Sequence, residues 1–484
     1  MPSCPQAPPE GALLNGCYRN LRNTTALLPR ILYVVDTNAP KEMNMAEVHP
    51  FRGILYNPES IANMADVVAP PYDVISPREQ DAFYNQHPNN VVRLILGKAR
   101  AGDTGTSDIH ARAAAYFEQW MAEKILTRDD TPAFYLTSVT FSVGAQRATR
   151  YGIIGGVRLE PFDKGVVLPH ERTFSKVKTE RLQLMQACHT NFSPVFGLYD
   201  DEAGILDRLI KFSGNQTPDL DFIDRQDLGH KMWRIVDPEM VQLVTSAFSE
   251  QCIYIADGHH RYETALNYRD WVKQKTQHFD THHPANFIMM SLSSMQDPGL
   301  VILPAHRLLK DVRIADIDAL LKKIGTCFEV LTFSTDSGLK DAMRVFDSAM
   351  ADNVHRKAIG MYGNHEKALN ILLLKEGVME ELFAGDVPEA LRDLDVTVLT
   401  RLLMMEILGF DQNRLDDATV IGYATTTQAA VQAVEDREAE LVFILNPTKI
   451  EQVQRVARHG LIMPRKSTYF YPKVGSGIVF NLLR

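Results

Sequence analysis

The run Ile253-Tyr254-Ile255-Ala256-Asp257-Gly258-His259-His260-Arg261-Tyr262-Glu263-Thr264 limits the fold more than any other part of this chain. Cys252 to Ala256 is short, apolar and β-branched enough for a buried strand. Gly258 permits a backbone conformation denied to other residues, so the chain turns at Asp257-Gly258. From Tyr262 onward, Tyr262, Ala265, Leu266 and Val272 fall in one sector of a helix, with Arg269 interrupting the stripe. The segment therefore reads as strand, tight turn, helix. A helix N-terminus leaves N–H groups unpaired and carries partial positive charge, so His259, His260 and Arg261 beside Gly258 suit an anion such as phosphate. Asp257 has the wrong sign for phosphate. Three roles stay open for it: holding Mg²⁺ between phosphates, fixing a histidine tautomer, or accepting a substrate proton. The competing reading is structural, with Asp257 capping the helix and its neighbours satisfying one another.

Further polar clusters accompany this turn. Leu168-Pro169-His170-Glu171-Arg172-Thr173 presents an imidazole and a carboxylate on a loop after proline. Glu171 suits a general base toward a substrate hydroxyl, with His170 or Arg172 on an anion. Lys176, Lys178 and Arg181 follow as a second basic cluster. The other reading is a surface loop whose Glu171 and Arg172 pair with neighbours. Lys466-Ser467-Thr468 and Lys473, with Tyr469, Phe470 and Tyr471 between them, could close a phosphate site, Lys466 offsetting charge on the transferred group. An aromatic strand packed in the core, its lysines reaching outward, explains the same residues. His306-Arg307 after Pro304 offers another phosphate contact or a structural hydrogen-bonding unit. Tyr72-Asp73 after two prolines is a rigid turn lining the cleft. His278, Asp280, His282 and His283 lack helical ligand spacing and read as solvated. No G-x-G-x-x-G, G-x-S-x-G or H-E-x-x-H occurs, so no haem, flavin, zinc or NAD is expected.

The string Ala256-Asp257-Gly258-His259-His260-Arg261 resembles the hallmark of domain-of-unknown-function family 1015, sometimes labelled ParB-related. Matching segments are Phe51-Arg52-Gly53, Ala69-Pro70-Pro71-Tyr72-Asp73-Val74-Ile75-Ser76, Asn89-Asn90-Val91-Val92-Arg93-Leu94, the His170 loop, Asn191-Phe192-Ser193-Pro194-Val195-Phe196, Leu303-Pro304-Ala305-His306-Arg307 and Met463 to Lys473. They span Met45 to Arg484. Ala305 stands where threonine is expected, which removes a hydroxyl there. The Asp257-to-Arg261 core also resembles the phosphate loop of the ParB and sulfiredoxin superfamily, which includes free-serine kinases and DNA-partition proteins. That resemblance implies a mixed α/β fold with a ParB/sulfiredoxin-like nucleotide-binding core and additional helices and strands. It further implies Mg²⁺ and a purine or pyrimidine nucleotide as cofactors. The expected activity is phosphoryl transfer to a small hydroxylated metabolite, with free serine a candidate.

Bulk properties favour that class over its competitor, a noncatalytic ParB-like nucleotide-binding regulator associated with DNA. A formal charge of −9 opposes broad nucleic-acid binding, and no basic recognition helix stands out. Five scattered cysteines without a CxxC pair indicate neither disulfides nor a zinc site and fit a reducing cytoplasmic compartment. No apolar run approaches the ~18 residues needed to span a bilayer. The expected organisation is a poorly ordered extension over 1–44, with Met45 an alternative start, then an α/β domain over 45–310 carrying the anion loop. A C-terminal α/β region over 311–484 completes it, contributing to the same cleft. That last region reads as largely helical, Val396 to Leu408 being its most apolar stretch, with a buried strand at Leu441 to Leu445. Phe134 to Val143 and Tyr151 to Leu159 read as a hairpin turning at Gly144-Ala145-Gln146, and Phe117, Trp120 and Met121 as a buried helical face.

Overall fold

Apolar and β-branched residues from Phe134 onward, interrupted at Gly144, form the central hairpin of a large sheet. Strands β2 (Phe134–Val143) and β3 (Gln146–Arg158) pair antiparallel from Val143↔Gln146 to Tyr135↔Ile154. Gly144 takes φ 58° in a two-residue turn, Gln146 already pairing with Val143, so the second strand starts at Gln146, ahead of the expected Tyr151. The computed structural model describes residues 45–173, 175–310, 312, 317–336, 338–363 and 368–484. The expected 1–44 extension lies outside the described residues, as does the side chain of Lys176. The chain is mixed α/β and divides into two compact units. One contains 45–301, 457–462 and 470–484; the other contains 302–456 and 463–469. The break at Val301/Ile302 lies close to residue 310, but the sequence boundary missed that the chain returns to the first unit for its last residues.

The sheet of the first unit adds β1 (Val48–His49), β4 (Val167–Leu168), β5 (Val195–Tyr199), β6 (Leu220–Ile223), β7 (Gly229–Ile235), β8 (Ile253–Asp257) and β9 (Phe287–Ser294). Its order is β4-β8-β5-β9-β3-β2-β7-β6, with β1 also on β3. Most pairs are antiparallel; β4 with β8 and β5 with β9 run parallel. Helix α1 (Pro77–Gln86) starts at a capping box between Ser76 and Glu79, which fixes the chain leaving Tyr72-Asp73. Helices α2 (Thr106–Ala122), α3 (Ser175–Cys188) and α4 (His259–Lys275) follow. The helical face read from the sequence is real: Phe117 and Trp120 are buried in a core with Leu184, Cys188 and Phe192. Burying side chains of this size stabilises the fold by about 1.5–3 kcal/mol each. Tyr262, Ala265, Tyr268 and Val272 of α4 pack into the sheet's principal core. No helix of the described residues is long and apolar enough to cross a membrane.

The second unit departs from its helical reading. Its centre is a six-stranded antiparallel sheet of β10 (His306–Leu309), β11 (Phe328–Ser334), β12 (Ala358–Gly363), β13 (Ala368–Leu374), β14 (Ile421–Ala424) and β15 (Leu441–Leu445), in the order β11-β13-β12-β15-β10-β14. Helices α5 (Leu339–Asp352) and α6 (Thr427–Glu435) share its core through Ala342, Phe346, Met350, Ala430, Val431 and Val434. The strand expected at Leu441 to Leu445 is β15, whereas β13 escaped notice because Leu369, Ile371, Leu372 and Leu373 are all buried, which erases the period of two. The apolar stretch near residue 400 is helical, with π-type hydrogen bonding over Val398–Ile407.

Candidate functional site

Strand β8 ends at Asp257 with a register irregularity against β5 between Ile255 and Asp257. Gly258 then adopts φ 94° and ψ 27°, a left-handed conformation that glycine enters without strain. Helix α4 begins immediately at His259, three residues earlier than its apolar stripe, so His259, His260 and Arg261 form its first turn. Tyr262 N donates to Gly258 O at 3.0 Å as the first intrahelical bond. No side chain caps this end, so Asp257 is not the cap that the structural reading supposed.

Asp257 instead joins two cations. Its Oδ2 accepts from Arg261 Nη2 at 2.6 Å, and its Oδ1 accepts from Lys473 Nζ. The three side chains are only 12–16% exposed. Burial alone would raise the Asp257 pKa, but Lys473 and Arg261 hold the carboxyl well below the usual carboxylate range. Burial likewise works against charge on Lys473, and Asp257, with Asp73 and Glu171 behind it, raises the Lys473 pKa nonetheless. Arg261 folds back over Gly258, where an added Cβ would sit 2.9–3.0 Å from its guanidinium, and donates through Nη1 to Pro194 O.

Parallel pairing explains why the His170 loop arrives here. Val167 and Leu168 of β4 align with Ile253 and Tyr254 of β8, so both chains leave the sheet at the same end. His170 N donates to His259 Nε2 at 3.2 Å, and the two rings meet edge to face at 4.8 Å. That bond leaves the His259 proton on Nδ1, which lies 3.9 Å from Glu171 Oε2. Both imidazoles are buried. Burial lowers His170 to about 4 and, with His170 beside it, pushes His259 well below its ordinary value. Neither carries the charge that a cationic phosphate contact needs at neutral pH; they brace the loop. Glu171 keeps 32% of its side chain exposed, and Arg172 is exposed. Beyond them, Thr173 Oγ1 donates to Glu263 Oε2 at 2.8 Å, and Lys178 pairs with the same carboxylate.

Tyr72-Asp73 reaches this region through Ala69, whose N–H and C=O bond Ser476 at 3.2 and 2.8 Å. Arg181 lies 4.2 Å above the Tyr72 ring, and Asp73 is exposed. Burial raises the Tyr72 hydroxyl, opposed by Arg181 and Arg261. Sequence reasoning missed Arg150. It is 4% exposed, stacks 4.6 Å from the Phe196 ring and donates to Tyr471 O at 3.2 Å. Burial pulls it to about 10, against the charges of Asp297 and Asp257. Its only signal was a cation on the face of β3 that also carries Gly152 and Ile154.

The other expected residues belong to the second unit, while Lys473 belongs to the first. Lys466 is exposed with φ 54°. Ser467 Oγ donates to Pro464 O at 2.5 Å, and Thr468 is buried. His306 Nδ1 accepts from Leu445 N at 3.1 Å, and burial lowers this ring to about 4. Arg307 donates to the carbonyls of Ala305, Arg465 at 2.9 Å and Lys466 at 3.1 Å, a structural use of its guanidinium. His283 Nδ1 accepts from Ala285 N at 3.1 Å, and His278, Asp280 and His282 are exposed. Among the described residues no group of three or more His, Cys, Asp or Glu could hold a metal ion.

A family model described as a protein of unknown function, DUF1015, matches residues 48–397. No curated protein matches the chain. A solved free serine kinase in complex with AMP shares 13% identity, covering 66% of this chain and 86% of its own at a TM-score of 0.30. A conserved hypothetical protein from Pyrococcus furiosus shares 13%, covering 67% and 92% at 0.30. SbnI with a C-terminal truncation, from Staphylococcus aureus, shares 7%, covering 66% and 84% at 0.32.

Proposed function

The chain belongs to the DUF1015 family, and we propose that it is a nucleotide-dependent phosphotransferase acting on a hydroxyl of a small metabolite. The observation that carries this reading is the uncapped N-terminus of α4, whose first turn holds Arg261, whose preceding Asp257 pairs with Arg261 and Lys473, and whose His259 lies beside the partly exposed carboxylate of Glu171. First-turn N–H groups at His259, His260 and Arg261 supply donors for phosphate oxygens. Asp257, Arg261 and Lys473 together carry one net positive charge, so the cluster still favours an anion despite its acid. Glu171 accepts the proton of the acceptor hydroxyl. The freed oxygen bonds to the terminal phosphorus as the bond from that phosphorus to the bridging oxygen breaks and the shortened nucleotide leaves, and the developing charge falls on the helix terminus and Lys473.

Asp257 fits neither an Mg²⁺ ligand nor a proton acceptor in this arrangement, because each of its oxygens is taken by a cation. Its role here is to position Arg261 and Lys473, and no step runs through a metal.

Thermal shift against ATP, ADP and CTP tests the reading, followed by transfer to a panel of hydroxylated metabolites that includes free serine. A nucleotide at ~100 times its Kd stabilises the fold by about 2.7 kcal/mol. Glu171→Gln is expected to preserve that shift and to lower transfer by ~10²-fold or more. Binding without transfer to any acceptor, indifferent to Glu171→Gln, would favour a regulatory nucleotide-binding protein. No stabilisation by any nucleotide would sink both readings.

A further inference from the structure

A cavity of about 240 Å³ lies within the second unit, between the C-terminal part of α5, the start of α6 and the end of β15. Its volume is below the ~300–1,000 Å³ typical of clefts for drug-sized ligands, so an occupant must be small. The lining includes His306, Asn446 and Thr427 as polar groups and Met350, Ile444 and Leu445 as apolar ones, with Asp347 beside them.

Three features give this cavity a direction. His306 is 2% exposed, and its Nδ1 is occupied by the N–H of Leu445, which leaves the ring proton on Nε2. Among the described residues that Nε2–H has no acceptor. The side-chain Nδ2 of Asn446 is buried and likewise has no hydrogen-bond partner. A buried donor left unmade, as Asn446 Nδ2 is, destabilises the fold until an acceptor meets it. Thr427 is the first residue of α6, where the helix end contributes partial positive charge; Thr426 Oγ1 caps only Ala429 N. His306 Nε2 and Asn446 Nδ2 ask for an acceptor-rich, anionic group, whereas the Thr427 side chain stands at the Asp347 end. Asp347 is exposed at the rim and accepts from the Thr427 side chain, so the mouth carries the opposite preference. Met350, Ile444 and Leu445 supply apolar lining.

We propose that this cavity binds a small amino acid, its carboxylate on His306 Nε2 and Asn446 Nδ2 and its ammonium toward Asp347. A simple anion would leave Asp347 opposing it, and a simple amine would leave His306 Nε2 and the buried Asn446 Nδ2 unmet. This site is separate from the Asp257 cluster and does not depend on the phosphotransferase reading.

Isothermal titration of the full chain with individual amino acids tests it, alongside matched carboxylates without the amine and amines without the carboxylate. At least one amino acid is expected to bind saturably, with both deleted analogues at least ~10-fold weaker. Asn446→Asp, which turns a donor toward the ligand into an anion, is expected to abolish binding. Asp347→Asn, on the exposed rim where folding is little at risk, is expected to weaken it several-fold. Glu171→Gln is expected to leave it unchanged, which separates it from any amino acid bound as an acceptor at the other site. No binding by any amino acid would overturn the proposal, as would equal binding of a deleted analogue. Binding lost in Glu171→Gln but kept in Asn446→Asp and Asp347→Asn would overturn it while supporting the phosphotransferase.

Discussion

Lys473→Met is the most informative single change, because it removes one of two cations from a carboxylate that is 16% exposed. Breaking a buried ion pair by truncating one partner costs about 3–5 kcal/mol. Arg261 remains on Oδ2 after the change, and the net charge of the cluster falls from +1 to 0, so the loss belongs at the lower end, about 3 kcal/mol. Asp257→Asn leaves Arg261 and Lys473 facing each other with no counter-charge and belongs at the upper end, about 5 kcal/mol. At roughly 2 °C per kcal/mol for a unit of this size, the Tm of the transition containing it falls by about 6 °C and 10 °C respectively. The double variant closes a cycle. Because each single change already destroys the Asp257–Lys473 contact, the combined loss should be smaller than the sum by about 0.5–3 kcal/mol. Calorimetry at pH 7 reads all four proteins, and the deficits should persist in high salt because low exposure limits screening. Losses under about 1 °C, or strict additivity, would refute the claim that Asp257 organises the two cations.

Two further changes probe the same framework. Gly258→Ala should destabilise by at least about 1–2 kcal/mol through its left-handed φ of 94°, with more added because the new Cβ presses on the Arg261 guanidinium; wild-type stability in denaturant titration would contradict this. Acidification from pH 7 to 5 should weaken the first unit selectively. His170 has a folded value of about 4 against ~6.5 unfolded, so its contribution is complete above ~6.5 and is lost as pH falls toward 4, about 2 kcal/mol of it by pH 5. In the second unit His306, also lowered to about 4, loses a similar amount, but burial raises Asp395 to about 7, and its protonation returns about 2 kcal/mol over the same interval. Hydrogen exchange corrected for intrinsic rates should therefore show protection falling in β2 to β9 and little change in β10 to β15, and the reverse pattern would refute the assignment.

What could be read in advance was what short stretches of chain decide for themselves. The β2–β3 hairpin, the buried face of α2 and the passage from β8 through Gly258 into α4 each rest on neighbouring residues and a backbone angle. Pairing between distant strands carries no such mark. Nothing in Val167-Leu168 announces that it runs parallel to Ile253-Tyr254, yet that pairing is what brings His170 and Glu171 to His259. From sequence, Lys466 is the cation that offsets charge on the transferred group and Lys473 only a phosphate contact, yet they fall in different units, and Lys473 is the one that meets Asp257.

The sign of the Asp257 cluster shows why local reading stops where it does. Taken as five consecutive residues, an acid beside two imidazoles and a guanidinium forces a choice between metal, tautomer and proton roles for the acid. Burial then removes the charge from His259, which makes the local balance less positive than the sequence suggests. Lys473, 216 residues away in the chain, restores it by occupying Asp257 Oδ1. Whether the Asp257 cluster adds net positive charge to the terminus of α4 is thus decided by one distant lysine, which does so only while it stays protonated and in contact. Lys473→Met should accordingly weaken any nucleotide far more than Glu171→Gln does, even at temperatures where both variants remain folded.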